Sequence, residues 1–152
     1  MLDIRQDDLE SEAVQALLAL HLKGMHEDTP PEHVFALDLS GLKAPAVTVW
    51  SAWHGSELAG IGALKALGDR AGEIKSMRTD PRHLRRGVGS AILLHIIGEA
   101  RRRDYLRLSL ETGGGPAFEP ALALYRKHGF VEGGAFAEYK PGAFSRFFHL
   151  PL

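Results

Sequence analysis

The chain has 152 residues, formal net charge −1 with neutral histidines, 45% hydrophobic and 24% charged residues, and no cysteine. One domain spanning residues 1–152, large enough to bury a core, is the expectation. The near-zero charge gives no support to a nucleic-acid or membrane-surface partner, and the missing cysteines exclude disulfides, thiolate metal sites and a cysteine nucleophile.

The N-terminus is acidic and lacks a basic-then-apolar leader, and apolar runs such as 91–94 are far too short to span a membrane. A cytoplasmic protein is expected. Residues 2–5 read as a first strand. Asp7 and Glu10 resemble a capping box before a helix whose apolar positions are Leu9, Ala13, Ala16, Leu17 and Leu20, with Gly24 as its end. Thr29-Pro30-Pro31-Glu32 signals a second short helix, running to about Leu37.

Residues 46–53, 58–67 and 73–79 then read as three antiparallel strands, separated by the turns His54-Gly55-Ser56 and Gly68–Gly72. Gly60 and Gly62 thin the middle one. In the third, Ile74 and Met77 are three residues apart and would point to opposite faces of a regular strand. Either a β-bulge absorbs one residue between them, or the strand is covered on both faces.

After Asp80-Pro81 comes a basic turn with Arg82, Arg85 and Arg86, then Gly87-Val88-Gly89-Ser90 opening a helix to about Arg103. The first amides of a helix lack intrahelical partners and sit at the positive end of its dipole, so this turn is a candidate phosphate site. Residues 106–111 alternate, with Leu106, Leu108 and Leu110 on one side. A strand–helix–strand crossover with a parallel pair follows. Residues 112–116 read as a loop, Pro120 opens a helix that Gly129 closes, and a last strand lies near residues 144–150. The aromatic pair Phe147-Phe148 serves either the core or a dimer interface, so both monomer and homodimer are open. The histidines show no paired ligand spacing, and no metal is expected. The class is α+β, an α/β/α sandwich around a mixed, mostly antiparallel sheet with a central parallel pair.

This order of elements resembles the GNAT superfamily of acetyl-CoA-dependent N-acetyltransferases over essentially the whole chain. Leu84-Arg85-Arg86-Gly87-Val88-Gly89 resembles the family's pyrophosphate turn, Gln/Arg-x-x-Gly-x-Gly/Ala, with Leu84 as the departure. Residues 120–130, with Leu124-Tyr125 and Gly129-Phe130, resemble its Ala-x-x-Leu-Tyr-x-x-x-Gly-Phe signature. A dinucleotide fold fits less well, because the third glycine of its fingerprint is replaced by Ile92. Residues 110–112 and 136–139 further resemble a bacterial GNAT subgroup.

The resemblance implies acetyl-CoA as cosubstrate. It would lie on Arg85, Arg86, Gly87, Val88, Gly89 and Ser90, with pantetheine along Met77, Arg78 and Thr79. Tyr125 would be the general acid at the sulfur, Glu73 the base, with Glu111 in reserve, and the Met77 amide the donor to the acetyl carbonyl. The competing readings are that Tyr125 only packs and that Glu73 only pairs with Lys75 or Arg70. Met25, His26, Glu111, Phe136, Glu138 and Tyr139 are candidates for the acceptor pocket. The implied activity is acetyl transfer to a primary amine, of a small molecule in the first instance, by direct attack in a ternary complex. The alternatives are a protein N-terminal or lysine acetyltransferase, or a non-catalytic acyl-CoA-binding regulator.

Overall fold

In the computed structural model, which describes residues 2–30 and 37–152, seven strands form one mixed sheet in the order β1-β2-β3-β4-β5-β7-β6. The strands are β1 (Asp3–Gln6), β2 (Val47–His54), β3 (Glu57–Gly68), β4 (Ala71–Thr79), β5 (Arg107–Gly113), β6 (Val131–Gly133) and β7 (Ser145–Pro151). All neighbours are antiparallel except β4 and β5. The helices are α1 (Glu12–Asp28), α2 (Leu39–Leu42), α3 (Val88–Arg102) and α4 (Glu119–Lys127). The α+β class and the central parallel pair are as the sequence implied. The predicted helix after Thr29 falls largely on residues outside those described.

Each sheet face buries its own cluster. On one face Ile92, Leu93, Ile96 and Ile97 of α3 and Leu122 and Tyr125 of α4 pack on Leu64, Ile74, Leu108, Leu110 and Phe148. On the other, Val14, Leu17 and Leu18 of α1 and Leu42 of α2 pack on Val49, Ile61 and Ala63. Phe147 and Phe148 are both buried in the protomer. They belong to its packing and not to an exposed dimer face.

Gly60 and Gly62 let α3 approach β3. A Cβ on Gly62 would stand 2.6 Å from Ile92 Cγ2 and 2.8 Å from Met77 Sδ, inside van der Waals contact. Gly62→Ala is therefore expected to cost about 1–3 kcal/mol by overpacking, read from the denaturant midpoint at unchanged m-value.

Several boundaries differ from expectation. The first helix is capped by Ser11, which accepts from the Val14 amide at 3.2 Å. Asp7 instead accepts from the Leu9 amide and from the Ser51 hydroxyl, so the apparent capping box is a turn tied to β2. The buried stripe of α1 is Val14, Leu17, Leu18 and His21, while Leu20 is exposed. The helix also continues past Gly24 to Asp28. Gly24 keeps helical geometry and is packed on by Arg78, whose guanidinium nitrogens lie 3.4 Å from where a Cβ would be, ordinary contact distance. Leu106 precedes β5 and is exposed, and β5 extends into the predicted loop as far as Gly113. There Thr112 and Gly113 pair with Arg146 and Ser145 of β7.

Candidate active site

β4 and β5 part company soon after they meet. Ala71, Gly72 and Glu73 pair with Arg107, Leu108 and Ser109, and the parallel ladder ends there. β4 runs on through residues 74–79 beside β3 alone, and β5 runs on beside β7. The result is a slot between two strands, with β4 backbone along its edge that no strand pairs.

At the same place β4 carries the bulge that its sequence suggested. Ile61 pairs with Arg78 and Ala63 with Lys75, so two steps on β3 match three on β4. Ser76 absorbs the extra residue with φ +55°. Ile74 and Met77 consequently share the α3 face, as members or neighbours of one cluster. Glu73, Lys75 and Arg78 take the α1 face: Lys75 reaches Tyr139, and Arg78 reaches Gly24.

Beyond the slot lies the start of α3. Gly87 caps it at φ +78° with no side-chain capping bond, and Arg85 before it is also left-handed, at φ +63°. The first amide bonded back along the helix is that of Ala91, to the Gly87 carbonyl at 3.0 Å. The amides of Val88, Gly89 and Ser90 thus have no intrahelical partner. A Cβ on Gly87 would meet nothing within 4 Å, so the surface over the turn is open. Arg85 and Arg86 are exposed beside it. The Val88 side chain is buried in the core, and the Ser90 hydroxyl is hydrogen-bonded to His128 Nε2 at 3.0 Å. Val88 therefore has only its main-chain amide to offer an anion. The Ser90–His128 bond also ties the turn to the end of α4, which carries Tyr125. Leu84 is 57% exposed. A turn that grips through its amides tolerates an apolar residue there.

A cavity of 180 Å³ occupies the slot, lined by His21, Gly24, Met25 and Asp28 of α1, residues 73–78 of β4, Leu110, Glu111 and Thr112 of β5, and Phe118, Ala121 and Tyr125. Tyr125 is buried edge-on against Phe130, ring centroids 5.9 Å apart. Burial pushes its phenol up to about 12. It stays protonated throughout the neutral range and can act there as an acid but not as a base.

The two glutamates have different surroundings. Glu73 is 3% exposed, lies 3.2 Å from Lys75 Nζ and accepts a hydrogen bond from the Tyr139 hydroxyl. Lys75 also donates to that hydroxyl, at 2.9 Å. The pairing with Lys75 that competed with a base role for Glu73 is therefore present. Burial and the nearby carboxylate of Glu73 keep the Tyr139 phenol protonated far above neutral pH. Glu111 has weaker support. Burial raises its carboxyl to about 7, against a hydrogen bond from Ser145 and the charge of Lys75, while Glu73 adds repulsion.

Of the residues considered for the acceptor pocket, Met25 and Glu111 line this cavity. His26 is exposed and outside the lining, one position off the face that α1 turns inward. Phe136 is buried among Tyr139, Phe147 and His149 and supports the wall from behind. Glu138 is exposed and lines a second cavity of 710 Å³, whose wall includes Glu73, Lys75 and Tyr139. Among the lining residues that sequence reading does not single out, two carry unpartnered polar atoms, His21 and Ser76. His21 completes the spacing 14, 17, 18, 21, which would have shown it on the inward stripe of α1. Ser76 had no signal beyond its place in the phase break.

The Acetyltransferase (GNAT) family profile matches residues 11–130. The chain belongs to this family. It is 53% identical to the uncharacterised N-acetyltransferase YedL of Escherichia coli (strain K12), over all of this chain and 96% of that protein. It is also 53% identical to the uncharacterised N-acetyltransferase YsnE of Bacillus subtilis (strain 168), over 90% of each. Among solved structures, a Klebsiella pneumoniae protein described as an acyl-CoA N-acyltransferase superposes with TM-score 0.84 at 31% identity, over 100% of this chain and 98% of that one. This GNAT enzyme is an acyltransferase of the acetyl-CoA-dependent N-acetyltransferase class. Among the described residues no helix is long and apolar enough to cross a membrane.

Proposed function

We propose that this GNAT enzyme transfers the acetyl group of acetyl-CoA to a primary amine of a small molecule, by direct attack within a ternary complex. The observation that carries the reading is the coincidence of three features: the parted strands β4 and β5, the bulge at Ser76, and a cavity at that point holding a protonated phenol and a carboxyl with a raised pKa. Acetyl-CoA supplies an activated thioester. The free amides of Val88, Gly89 and Ser90, with Arg85 and Arg86, suit its phosphates. The unpaired edge of β4 suits its amide-bearing arm, as an added strand.

Glu111 is the better base of the two glutamates, because a carboxyl near 7 is half ionised at neutral pH and is not already held by an ion pair within bonding distance. It takes a proton from the incoming ammonium, leaving a neutral amine. The Met77 amide faces the carbonyl oxygen as charge builds there. As the new C–N bond forms and the C–S bond breaks, Tyr125 gives its proton to the sulfur and is restored from solvent. The second nitrogen proton leaves to water. Glu73, locked to Lys75 and Tyr139, fixes the cavity wall. With no cysteine in the chain, no acetyl-cysteine relay is available. The 180 Å³ cavity suits a small acceptor better than a folded protein's surface.

Thiol release from acetyl-CoA across a panel of primary amines tests this. Turnover with at least one small amine is expected, and CoA without its 3′-phosphate should compete about as well as CoA, since the amide cradle addresses the pyrophosphate. Release of thiol with protein N-termini or lysine peptides alone would overturn the small-molecule reading.

A further inference from the structure

The α1 side of the cavity holds a cation that no carboxylate pairs directly among the described residues. Arg78 projects from β4 over Gly24 of α1. It forms no ion pair or side-chain hydrogen bond among the described residues, whereas Lys75 on the same face is held by Glu73 and Tyr139. Beside it stands His21, 7% exposed, whose Nδ1 is buried without a hydrogen-bond partner. Burial, with the charge of Arg78, lowers this imidazole to about 4, so it is neutral and able to donate from one ring nitrogen. The Ser76 hydroxyl at the bulge is a second buried polar group without a partner. All three line the same cavity.

Buried polar groups left unpaired cost stability, and a guanidinium that pairs with no carboxylate among the described residues has its bidentate donors to offer. Retaining the three together is intelligible if a ligand satisfies them. That ligand is not the phosphate arm of the cosubstrate. Met77 and Thr79, which flank Arg78, lie on the opposite face, Met77 against α3 and Thr79 near Gly89. Arg78 and His21 face α1, across the sheet from the anion turn.

We infer that the acceptor is an amino-carboxylate: Arg78 binds its carboxylate, His21 and Ser76 complete the hydrogen bonding, and its amine lies toward Glu111. This deepens the proposed function and rests on it. The positive charge of Arg78 answers the acceptor's carboxylate, and the carboxylate of Glu111 answers its ammonium, so the cavity matches a zwitterion better than a simple amine.

The test compares free L-amino acids with their matched carboxamides, for example leucine with leucinamide, as acceptors for wild type, Arg78→Met and Arg78→Lys. Wild type should favour the acids by about 10- to 100-fold in kcat/KM, the range for a charge-assisted pair. Arg78→Met should erase that preference through KM and leave the KM for acetyl-CoA within about twofold, and Arg78→Lys should restore part of it. Carboxamides turned over as well as acids by wild type would overturn the inference and leave acetyl transfer to an amine standing. If no acceptor supports turnover, calorimetric titration of the CoA-loaded protein with N-acetyl-leucine and N-acetyl-leucinamide gives the same comparison without chemistry. Preference for the acid that vanishes in Arg78→Met sustains the inference, and equal binding of the two ends it. Circular dichroism and Tm establish that each variant is folded.

Discussion

Tyr125→Phe is expected to lower kcat by about 10²- to 10⁴-fold, the usual worth of a positioned general acid. The substitution removes one oxygen and keeps the ring, so the edge-on contact with Phe130 and the burial of the α4 face persist. Tm should hardly move. CoA affinity should stay within a few-fold, because the amides at the start of α3 are untouched. The loss falls on kcat because the phenol acts on the thiolate only as the C–S bond breaks, not on bound CoA. The wild-type phenol, at about 12, does not titrate in the assay range, so any alkaline limb of the rate profile belongs to another group. Steady-state kinetics with calorimetry of CoA binding decide the matter. Equal loss of kcat and CoA affinity, or no loss, would return Tyr125 to a packing role.

Glu111→Gln carries the second large effect, and it has two parts of opposite sign. Activity should fall by about 10²-fold or more at pH 7, and the acid limb of kcat/KM, expected in wild type near pH 7, should vanish. Stability should move the other way. Below the ordinary glutamate range Glu111 is neutral in both the folded and unfolded chain. As pH rises from there toward about 7, the unfolded chain gives up a proton that the folded one keeps, so wild type loses stability across that window. Above about 7 the burial cost of the charge is complete. Glutamine carries no charge and can still accept from Ser145. The variant should match wild type at acid pH and exceed it at pH 8, by on the order of 1 kcal/mol since the site is partly open to water, or about 2–4 °C in Tm. An active Glu111→Gln enzyme, or one that keeps its acid limb, would move the base elsewhere, with Glu73 next in line. Thermal melts at both pH values separate the stability effect from the kinetic one.

These two experiments bear on groups whose roles differ because of their neighbours, and that is also where sequence reading reached its limit. Glu73 and Glu111 are chemically identical along the chain. The Glu73–Lys75 pairing is local and legible, but only the return of Tyr139 across the sheet adds a phenol to that carboxylate, and only burial beside β4 leaves Glu111 with a raised pKa. Local rules also misjudged α1. The spacing Leu9, Ala13, Ala16, Leu17 and Leu20 puts the apolar face out of phase with the buried stripe, Val14, Leu17, Leu18 and His21, and so passes over His21. Gly24 is a helix end on intrinsic preference alone, whereas α1 runs on through it to Asp28 and Arg78 packs over it.

What the amino-acid order determined by itself was what short-range physics controls. The β-rich segments and their turns, the glycine-led start of α3 and the parallel crossover all follow from spacing and capping. The odd separation of Ile74 and Met77 left two readings, a bulge or a strand covered on both faces, and only the register against β3 chose the bulge. What only the tertiary structure decided was which side chains meet across the slot. Arg78 came from a strand, His21 from a helix far back in sequence, and Glu111 from the strand beyond the crossover. Their charges and hydrogen bonds depend on distance and burial in space, and neither quantity is encoded in any local window of the chain.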